Sequence, residues 1–327
     1  MEKPLISIVI PVYNTAKFID KCILSARAQK YPNLEIVVVY NGSTDNSWDI
    51  IEKHAHEDSR IKAYTIEHVP TVKQSRDNCF YRADGEFIIP VDSDDSIAEN
   101  YVENVWNRQY ETDADFVGTT MVHLDTEDKI YMKCPVDNFD YTKIYNGKEA
   151  VSHTIGRWEF AINGALMRKQ ILCNNSVTDP NFEDFTDEYD SRLFLLNCKK
   201  VAFCRADYLY LYNPNSVGKS RSFNREKYLI NTVRGLLPFI GQNYGRSVEY
   251  KRLCGSTVGV INSMLRFLRD NKNRNNKNIV NEGCGLIKDT LKRFQIKYAK
   301  GYGLKLVIYI LIIRTKSVSY THLTLPT

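Results

Sequence analysis

Three carboxylates follow directly after an apolar run in residues 86–95, EFIIPVDSDD. The run is typical of a strand that is buried on both faces, and Asp92, Asp94 and Asp95 stand at its carboxyl end. Acids placed this close together repel one another unless a cation lies among them, and Mg²⁺ or Mn²⁺ with oxygen ligands suits such a site. Ligands of open α/β sheets bind at that edge. The segment therefore predicts a metal that holds a phosphorylated substrate, although Asp and Ser also favour simple turns.

The elements that must position these acids alternate along the first hundred residues. Apolar runs predict strands at 6–12, 35–40 and 61–66, before the strand that ends in the acids. Helical spacing of apolar residues predicts the helices between them. We expect Gly85 to end the third helix with a left-handed cap, and His54 to lie at the surface. The β-α-β-α-β-α-β order predicts an α/β fold with a doubly wound, mainly parallel sheet flanked by helices.

Five segments resemble the family 2 glycosyltransferases in order and spacing. They are SIVIPVYN at 7–14, NGSTDNS at 41–47, the Arg-Asp-Asn run at 76–78, ADGEF at 83–87 and VDSDD at 91–95. The resemblance covers about residues 4–215. It implies a GT-A fold, a nucleotide-sugar donor, a divalent cation (Mn²⁺ or Mg²⁺) and transfer with inversion at the anomeric carbon. Enzymes of the bacterial cell-surface polysaccharide type are the nearest match.

The resemblance assigns donor-binding roles to the ends of the first two strands. Pro11, Tyr13 and Asn14 would lie where the backbone passes under the nucleotide base, and a buried aromatic is the equal alternative for Tyr13. Asn41 stands where many relatives carry an Asp that binds uracil, so a UDP-sugar is the expected donor. An amide side chain both accepts and donates hydrogen bonds, so Asn41 defines the identity of the base less sharply than an Asp would. For residues 43–45 we favour a helix N-cap over ligand contact.

The resemblance also assigns different roles to the three acids. Asp92 would face the ribose, and Asp94 and Asp95 would hold the metal, with Asp95 as the foremost candidate. The metal would bridge the diphosphate and offset the charge on the leaving group. Arg76 could reach the base or the diphosphate, and a solvated helix residue is the alternative.

The second half must supply a general base for the acceptor hydroxyl. In the family the base stands at the start of a helix, before an apolar stretch and a lysine-rich turn. That register favours Asp187, with Glu188 second, although Thr186 stands where relatives carry another acid. An acidic helix N-terminus is the simpler alternative. Trp158 could stack on an acceptor sugar or pack in the core, and Ser216 could close over the donor diphosphate.

The charge is distributed unevenly along the chain. Residues 219–316 contain 21 Lys or Arg and 5 Asp or Glu, whereas the whole chain has a net charge of +5. We expect a GT-A catalytic domain at 1–218 and a basic helical extension at 219–316. The extension would meet an anionic membrane surface rather than nucleic acid. The apolar run 302–313 is too short to span a bilayer and could lie in the interface or form a core helix. Residues 317–327 are interpreted as a non-native or disordered tail.

The remaining sequence features limit the cellular location and the possible functions of the protein. Eight cysteines without a CxxC pair, and a start without a signal peptide, indicate free thiols in the cytoplasm. With the basic extension, we expect a cytoplasmic protein that could be peripheral on the inner membrane face. The expected function is metal-dependent transfer of a sugar to a hydroxyl of a glycan or lipid-linked acceptor. A non-catalytic nucleotide- or sugar-binding protein on the same fold and a sugar nucleotidyltransferase are the alternatives. The chain has no Gly-rich loop containing Arg and Lys, which argues against the nucleotidyltransferase.

Overall fold

The computed structural model describes most of the chain in separate ranges. They are residues 3–134, 140–155, 162–174, 187–213, 222–245, 247–270, 273 and 275–294. By contacts, the chain divides into two compact units. Unit 1 comprises Met1–Thr154, Trp158–Asp179 and Asp190–Asn213, and unit 2 comprises Ile155–Arg157, Pro180–Tyr189 and Pro214–Thr327.

Unit 1 is built on one mixed sheet. Its strands are β1 (Ile6–Val12), β2 (Leu34–Tyr40), β3 (Ile61–Thr65), β4 (Phe87–Pro90), β5 (Ser96–Ile97), β6 (Phe116–Leu124), β7 (Ile130–Cys134), β8 (Leu166–Arg168) and β9 (Val201–Leu211). The order is β3-β2-β1-β4-β8-β6-β9-β5, with β7 paired to β6. The first four strands are parallel, and β8, β5 and β7 pair antiparallel with their neighbours. The predicted α/β fold is confirmed, and the sheet becomes mixed in its second half.

The described residues form seven helices before residue 213, of which the first four cover both faces of the parallel strands. They are α1 (Ile19–Arg27), α2 (Ser47–Glu57), α3 (Val72–Arg82), α4 (Tyr101–Thr112), α5 (Gly147–Thr154), α6 (Lys169–Asn174) and α7 (Asp187–Asn197). On β1, Ile8 and Ile10 pack in a core with α1, α2 and α4. Val9 packs on the other face with Cys79 and Ala83 from the α3 side. Each fully buried aliphatic side chain contributes roughly 1.5–3 kcal/mol, so the uninterrupted apolar strands fix the layered arrangement.

Two local predictions are wrong. Gly85 does not cap α3 in a left-handed conformation, because the cap residue is Ala83 in an extended conformation and Gly85 is not among the residues with positive φ. A Cβ at Gly85 would lie 2.5 Å from Ser7 Oγ, so close approach of β1 requires this glycine. His54 is buried rather than exposed, and its ring nitrogens contact Arg27 and Asp20.

The described part of unit 2 contains three long helices. They are α8 (Phe223–Tyr244), α9 (Val248–Arg269) and α10 (Lys277–Arg293), and α8 packs against the other two. Each begins after a capping side chain, Ser222, Ser247 or Asn276, which accepts a hydrogen bond from a backbone N–H of the first turn. Such caps satisfy amides that the helix leaves unpaired. Within the ranges that the structure covers, no helix has the length and apolar character that a membrane crossing requires.

Candidate functional site

The carboxyl ends of β1, β2 and β4 bring the three sequence segments together. β1 runs parallel to both β2 and β4, so residues 13–16, 41–47 and 91–95 all leave the sheet at the same edge. Pro11 lies within β1, beside Val39 of β2. The segments that hold most of the predicted donor and metal residues of the first half therefore lie at one edge of the sheet.

Asp95 is the most enclosed of the acids and has protein partners at both oxygens. Its side chain is 3% exposed. Tyr208 donates its hydroxyl hydrogen to Oδ2 at 2.7 Å, and the backbone N–H of Leu211 donates to Oδ1 at 2.9 Å. Asp95 therefore ties residues 91–95, called the acid loop below, to β9. Each of its two oxygens already accepts one hydrogen bond from the protein.

Burial and charge both act on Asp95. Burial raises the pKa of its carboxyl well above the usual value, and Asp92 and Asp94 raise it further, whereas the bonds from Tyr208 and Leu211 lower it by less. The ionised form of Asp95 is therefore disfavoured by burial and by repulsion from Asp92 and Asp94. A bound cation would remove that repulsion.

Asp94 is the acid best placed to hold a cation. It is partly exposed, and its Oδ2 accepts one hydrogen bond, from the Asn213 amide at 3.1 Å. Among the described residues, no three acids, histidines or cysteines form a complete metal site. Mg²⁺-type ions commonly take one or two carboxylates and complete their shell with substrate phosphate and water. The carboxylate oxygens available here therefore fit a divalent cation such as Mg²⁺.

Asp92 is paired inside the protein. Arg76 donates to its Oδ1 at 3.2 Å, and the Asn163 amide donates to its Oδ2 at 2.5 Å. Arg76 is 3% exposed, so the alternative of a solvated helix residue is wrong. The Arg76 guanidinium supplies positive charge at the edge where a diphosphate is expected, and it holds Asp92 in a fixed orientation.

An aromatic pair lies over the end of β2. The rings of Tyr13 and His68 stack with centroids 4.7 Å apart, and Tyr13 is 46% exposed, which excludes the buried-aromatic alternative. Beneath them Asn41 is buried, with both ends of its amide bound to Val69. Its Oδ1 accepts from the Val69 N–H at 2.7 Å and its Nδ2 donates to the Val69 carbonyl at 3.0 Å. Asn41 therefore shapes the loop before α3, and direct binding of a base by this side chain stays a prediction.

The two loops after β1 and β2 hold each other. Asn14 adopts a left-handed conformation, with φ of 53°, and its Oδ1 accepts from the Thr44 N–H at 2.8 Å. In return, Ser43 Oγ accepts from the Asn14 N–H and Asp45 accepts from the Ala16 N–H. Asp45 also accepts from the N–H of Ser47 at the start of α2, but the N-cap residue of α2 is Asn46, so the prediction of an N-cap within residues 43–45 is wrong. Asn14 thus has a defined structural role, and donor contact by it stays a prediction.

The residues predicted for the second half are described only in part. Trp158 and Ser216 lie outside the described residues, as does the side chain of Asp187. Helix α7 begins at Asp187, where the resemblance placed the start of a helix, and Glu188 is buried. Their catalytic roles stay predictions.

Several site residues were not predicted. Asn163, Asn213 and Tyr208 bind the three acids, and His68 stacks on Tyr13. Of these, only Tyr208 carried a signal, the alternation of tyrosines in the strand-like run 208–212. The amides that orient carboxylates from distant segments have no local pattern that would reveal them.

Comparison with known proteins identifies the family. The model of glycosyl transferase family 2 matches residues 7–172, about half of the chain. Glycosyltransferase GlyG of Streptococcus pneumoniae serotype 4 is 29% identical over 276 residues, which cover 82% of this chain and 88% of GlyG. The cholesterol galactosyltransferase of Borreliella burgdorferi is also 29% identical, over 72% of this chain and 68% of that protein.

Solved structures share the fold at low sequence identity. TarS of S. aureus matches with a TM-score of 0.67 and 16% identity over 97% of this chain, which spans 54% of that TarS chain. The fragment TarS 1–349 in complex with UDP-GlcNAc matches with a TM-score of 0.65 and 17% identity, over 95% of this chain and 87% of the fragment. These matches show a GT-A fold like that of TarS. With the matched family model and the named relatives, they show that the chain is a glycosyltransferase that belongs to glycosyl transferase family 2.

Proposed function

We propose that this enzyme transfers a sugar from a nucleotide-sugar, with a UDP-sugar as the first candidate, to a hydroxyl of a glycan or lipid-linked acceptor in cell-surface polysaccharide synthesis. The observation that carries the proposal is the meeting, at one sheet edge, of an exposed aromatic pair, the buried Arg76–Asp92 pair and the partly exposed Asp94. A flat base, a diphosphate and a cation need these three kinds of group. The complex of TarS 1–349 with UDP-GlcNAc supports the choice of donor.

The donor would be held mainly by residues of the first half. The exposed face of Tyr13 offers a stacking surface for a base. Arg76 would attract the diphosphate, and Asp92, oriented by Asn163, would accept hydrogen bonds from the ribose. Asn41 would act through the loop that it holds against Val69.

A divalent cation would be held by Asp94 and the donor diphosphate. Asp95 would contribute its charge and position the loop, since its oxygens already have partners in Tyr208 and Leu211. The cation supplies charge neutralisation to a departing nucleoside diphosphate. The mannosyltransferase PcManGT from Pyrobaculum calidifontis, solved with GDP-Man and Mn²⁺, matches the fold with a TM-score of 0.54 and 12% identity, over 92% of this chain and 89% of that chain.

The transfer itself requires one base and no covalent intermediate. The acceptor oxygen forms a bond to the anomeric carbon while the bond from that carbon to the diphosphate oxygen breaks, and the diphosphate leaves with the electron pair. The acceptor proton passes to a carboxylate, for which we assign Asp187 first and Glu188 second. Asp187→Asn should leave donor binding unchanged and lower transfer by roughly a hundredfold or more. Full transfer by that variant would exclude Asp187 as the base.

The donor and cation assignments are tested by thermal shift. The protein is melted with UDP, GDP and their sugars, each with and without Mn²⁺, because a ligand that binds the folded state raises the midpoint. We expect UDP with Mn²⁺ to stabilise the enzyme and Asp94→Asn to abolish the Mn²⁺-dependent part. Asp49→Asn removes an exposed acid from α2 and should behave as wild type. A larger shift with GDP would overturn the uridine assignment, and equal shifts in both variants would overturn the role of Asp94.

We also propose that the chain comprises a catalytic domain at 1–218 and a basic extension at 219–316 that binds an anionic membrane surface. In support, Arg252, Arg266 and Arg269 are exposed on α9, whereas Glu226 and Glu249 are buried. Sedimentation with phosphatidylglycerol vesicles should exceed sedimentation with neutral phosphatidylcholine vesicles, and should fall with salt. Equal binding to both vesicle types would contradict the proposal.

A further inference from the structure

A cavity of about 180 Å³ opens beside Asp94 in unit 1. Its lining comes from the start of α1, the acid loop, the turn between β6 and β7, and the end of β9. The lining residues used below are Lys17, Phe18, Lys21, Leu124, Thr126 and Leu211. We propose that this cavity binds an uncharged sugar ring of the acceptor, an inference that rests on the proposed transfer reaction.

The walls combine an apolar part with a polar rim. Phe18, Leu124 and Leu211 supply the apolar part, and Leu124 is paired with Leu211 across β6 and β9. Lys17 and Thr126 add polar groups at exposed positions. A pyranose ring presents apolar C–H faces and a hydroxyl edge, so it matches a site of this mixed character.

Contacts within the protein hold the lining of the cavity in place. Lys21 of α1 binds Asp128 of the β6–β7 turn at 2.5 Å. Asp128 is held there with φ of 61°, inside a turn that Asp125 closes by accepting from the N–H groups of Glu127 and Lys129. A preformed site loses less conformational freedom when it binds its ligand.

The charges of the lining favour a neutral ligand. Lys21 is paired with Asp128, and Asp95 is satisfied by Tyr208 and Leu211. Lys17 and Asp94 then remain at the rim with opposite signs. Sugar hydroxyls can accept a hydrogen bond from the lysine and donate one to a carboxylate oxygen.

The position of the cavity favours the acceptor over the donor. The residues assigned to the donor belong to the ends of β1 and β2 and to α3, at Tyr13, Asn41 and Arg76. None of them lines the cavity, which belongs to α1, β5, β6 and β9. The two groups adjoin in the acid loop, at Asp94, and in the segment between β1 and α1, where Tyr13 and Asn14 are followed by Lys17 and Phe18. A transferase must bring two substrates together at one reacting atom, and the cavity is placed to receive the second.

The test uses methyl β-glycosides of glucose, galactose and N-acetylglucosamine as probes. Binding is measured by saturation-transfer NMR on the full chain with UDP and Mn²⁺, and a dissociation constant of roughly 1 mM is expected for ligands of this size. Thr126→Trp fills the rim of the cavity and should weaken binding by about tenfold or more, which corresponds to about 1.4 kcal/mol. Glu127→Trp, at the neighbouring exposed position outside the lining, is the matched control and should bind as wild type.

UDP binding by thermal shift is recorded in parallel for all three proteins. Unchanged UDP binding with lost glycoside binding in Thr126→Trp alone supports the inference. The inference is overturned if Thr126→Trp and Glu127→Trp bind the glycosides equally well, or if the wild-type protein binds UDP but none of the glycosides. If Thr126→Trp lowers the affinity for UDP-sugar relative to UDP, the cavity belongs to the donor sugar and the inference is also overturned. A failure of wild type to bind any nucleotide contradicts the proposed function instead.

Discussion

Tyr208→Phe removes one hydroxyl that serves two of the acid-loop residues. The Tyr208 hydroxyl donates to Asp95 Oδ2 at 2.7 Å and accepts from the Asp92 N–H at 3.1 Å. The tyrosine is 0% exposed. The substitution keeps the ring and its packing, so its effect reports on the hydroxyl alone.

The expected cost follows from those two bonds. A hydrogen bond to a charged group contributes about 1.5–3 kcal/mol and a bond between neutral groups about 1 kcal/mol. Because water cannot readily replace a donor in this buried position, we expect a loss of about 2.5–4 kcal/mol in the free energy of unfolding. At about 2–4 °C per kcal/mol for a domain of this size, the midpoint of unit 1 should fall by roughly 5–16 °C.

The assay is thermal unfolding and urea unfolding of both proteins, with UDP and Mn²⁺ added in a second series. Tyr210→Phe is the matched control, since it lies two residues along β9 and is only partly buried. That control should change the free energy of unfolding by about 0.5 kcal/mol or less. A Tyr208→Phe variant that is as stable as the control would refute the idea that this hydroxyl fixes the acid loop.

Three further changes address other parts of unit 1. Burial acts to raise the pKa of Glu35, but its hydrogen-bonded lysine, serine and backbone partners lower it below the usual 4.5. Its stabilising effect should thus be complete above pH 4.5 and decline as the pH falls through the lower folded-state pKa, and Glu35→Gln should lose about 1.5–3 kcal/mol at pH 7. Gly85→Ala would place a Cβ 2.5 Å from Ser7 Oγ and should lose about 1–3 kcal/mol. Asn41→Asp removes the donor to the Val69 carbonyl and should lose about 1–3 kcal/mol in the free energy of unfolding.

Each change has a control variant or an outcome that would contradict its prediction. Urea unfolding from pH 3 to 7 should show a weaker pH dependence in Glu35→Gln than in wild type, and superimposable curves would contradict the role of Glu35. Gly259→Ala, on α9, meets no atom within 4 Å and should be neutral or stabilising. If Gly85→Ala is equally neutral, the close contact with Ser7 is not restrictive. An Asn41→Asp variant that is fully stable would show that the bond to the Val69 carbonyl is dispensable.

The sequence predicted the first half of the fold well because its signals are local. β1 occupies Ile6–Val12 as predicted, and β2 and β3 differ by one residue at one end each. β5 and β8 carry no such signal, since they have only two or three residues and are defined by their pairing. Gly85 and His54 were misjudged for the same reason. Their surroundings come from β1 and α1, which are distant in sequence.

The sequence predicted which acids lie at the site and where the site lies in the sheet, but it did not predict the hydrogen-bond partners of those acids. The sequence placed Asp92, Asp94 and Asp95 at a ligand-binding edge, and the structure brings them there. It could not reveal that Asp95 is bound by Tyr208 and Leu211, more than a hundred residues away. Because each oxygen of Asp95 already accepts one hydrogen bond, we propose that the cation lies on Asp94 first, and the assignment of both acids to the metal stays a prediction. Long-range hydrogen bonds of this kind leave no trace in spacing or composition.

In the proposed donor site, the two loops that hold each other after β1 and β2 constrain any attempt to redesign nucleotide preference. Five hydrogen bonds join residues 14–16 to residues 43–47, and each pairs a group of one loop with a group of the other. A graft that exchanges only one loop would leave the donors and acceptors of the other without partners. Base preference should therefore be transferable between related enzymes only when both loops are moved as a single cassette.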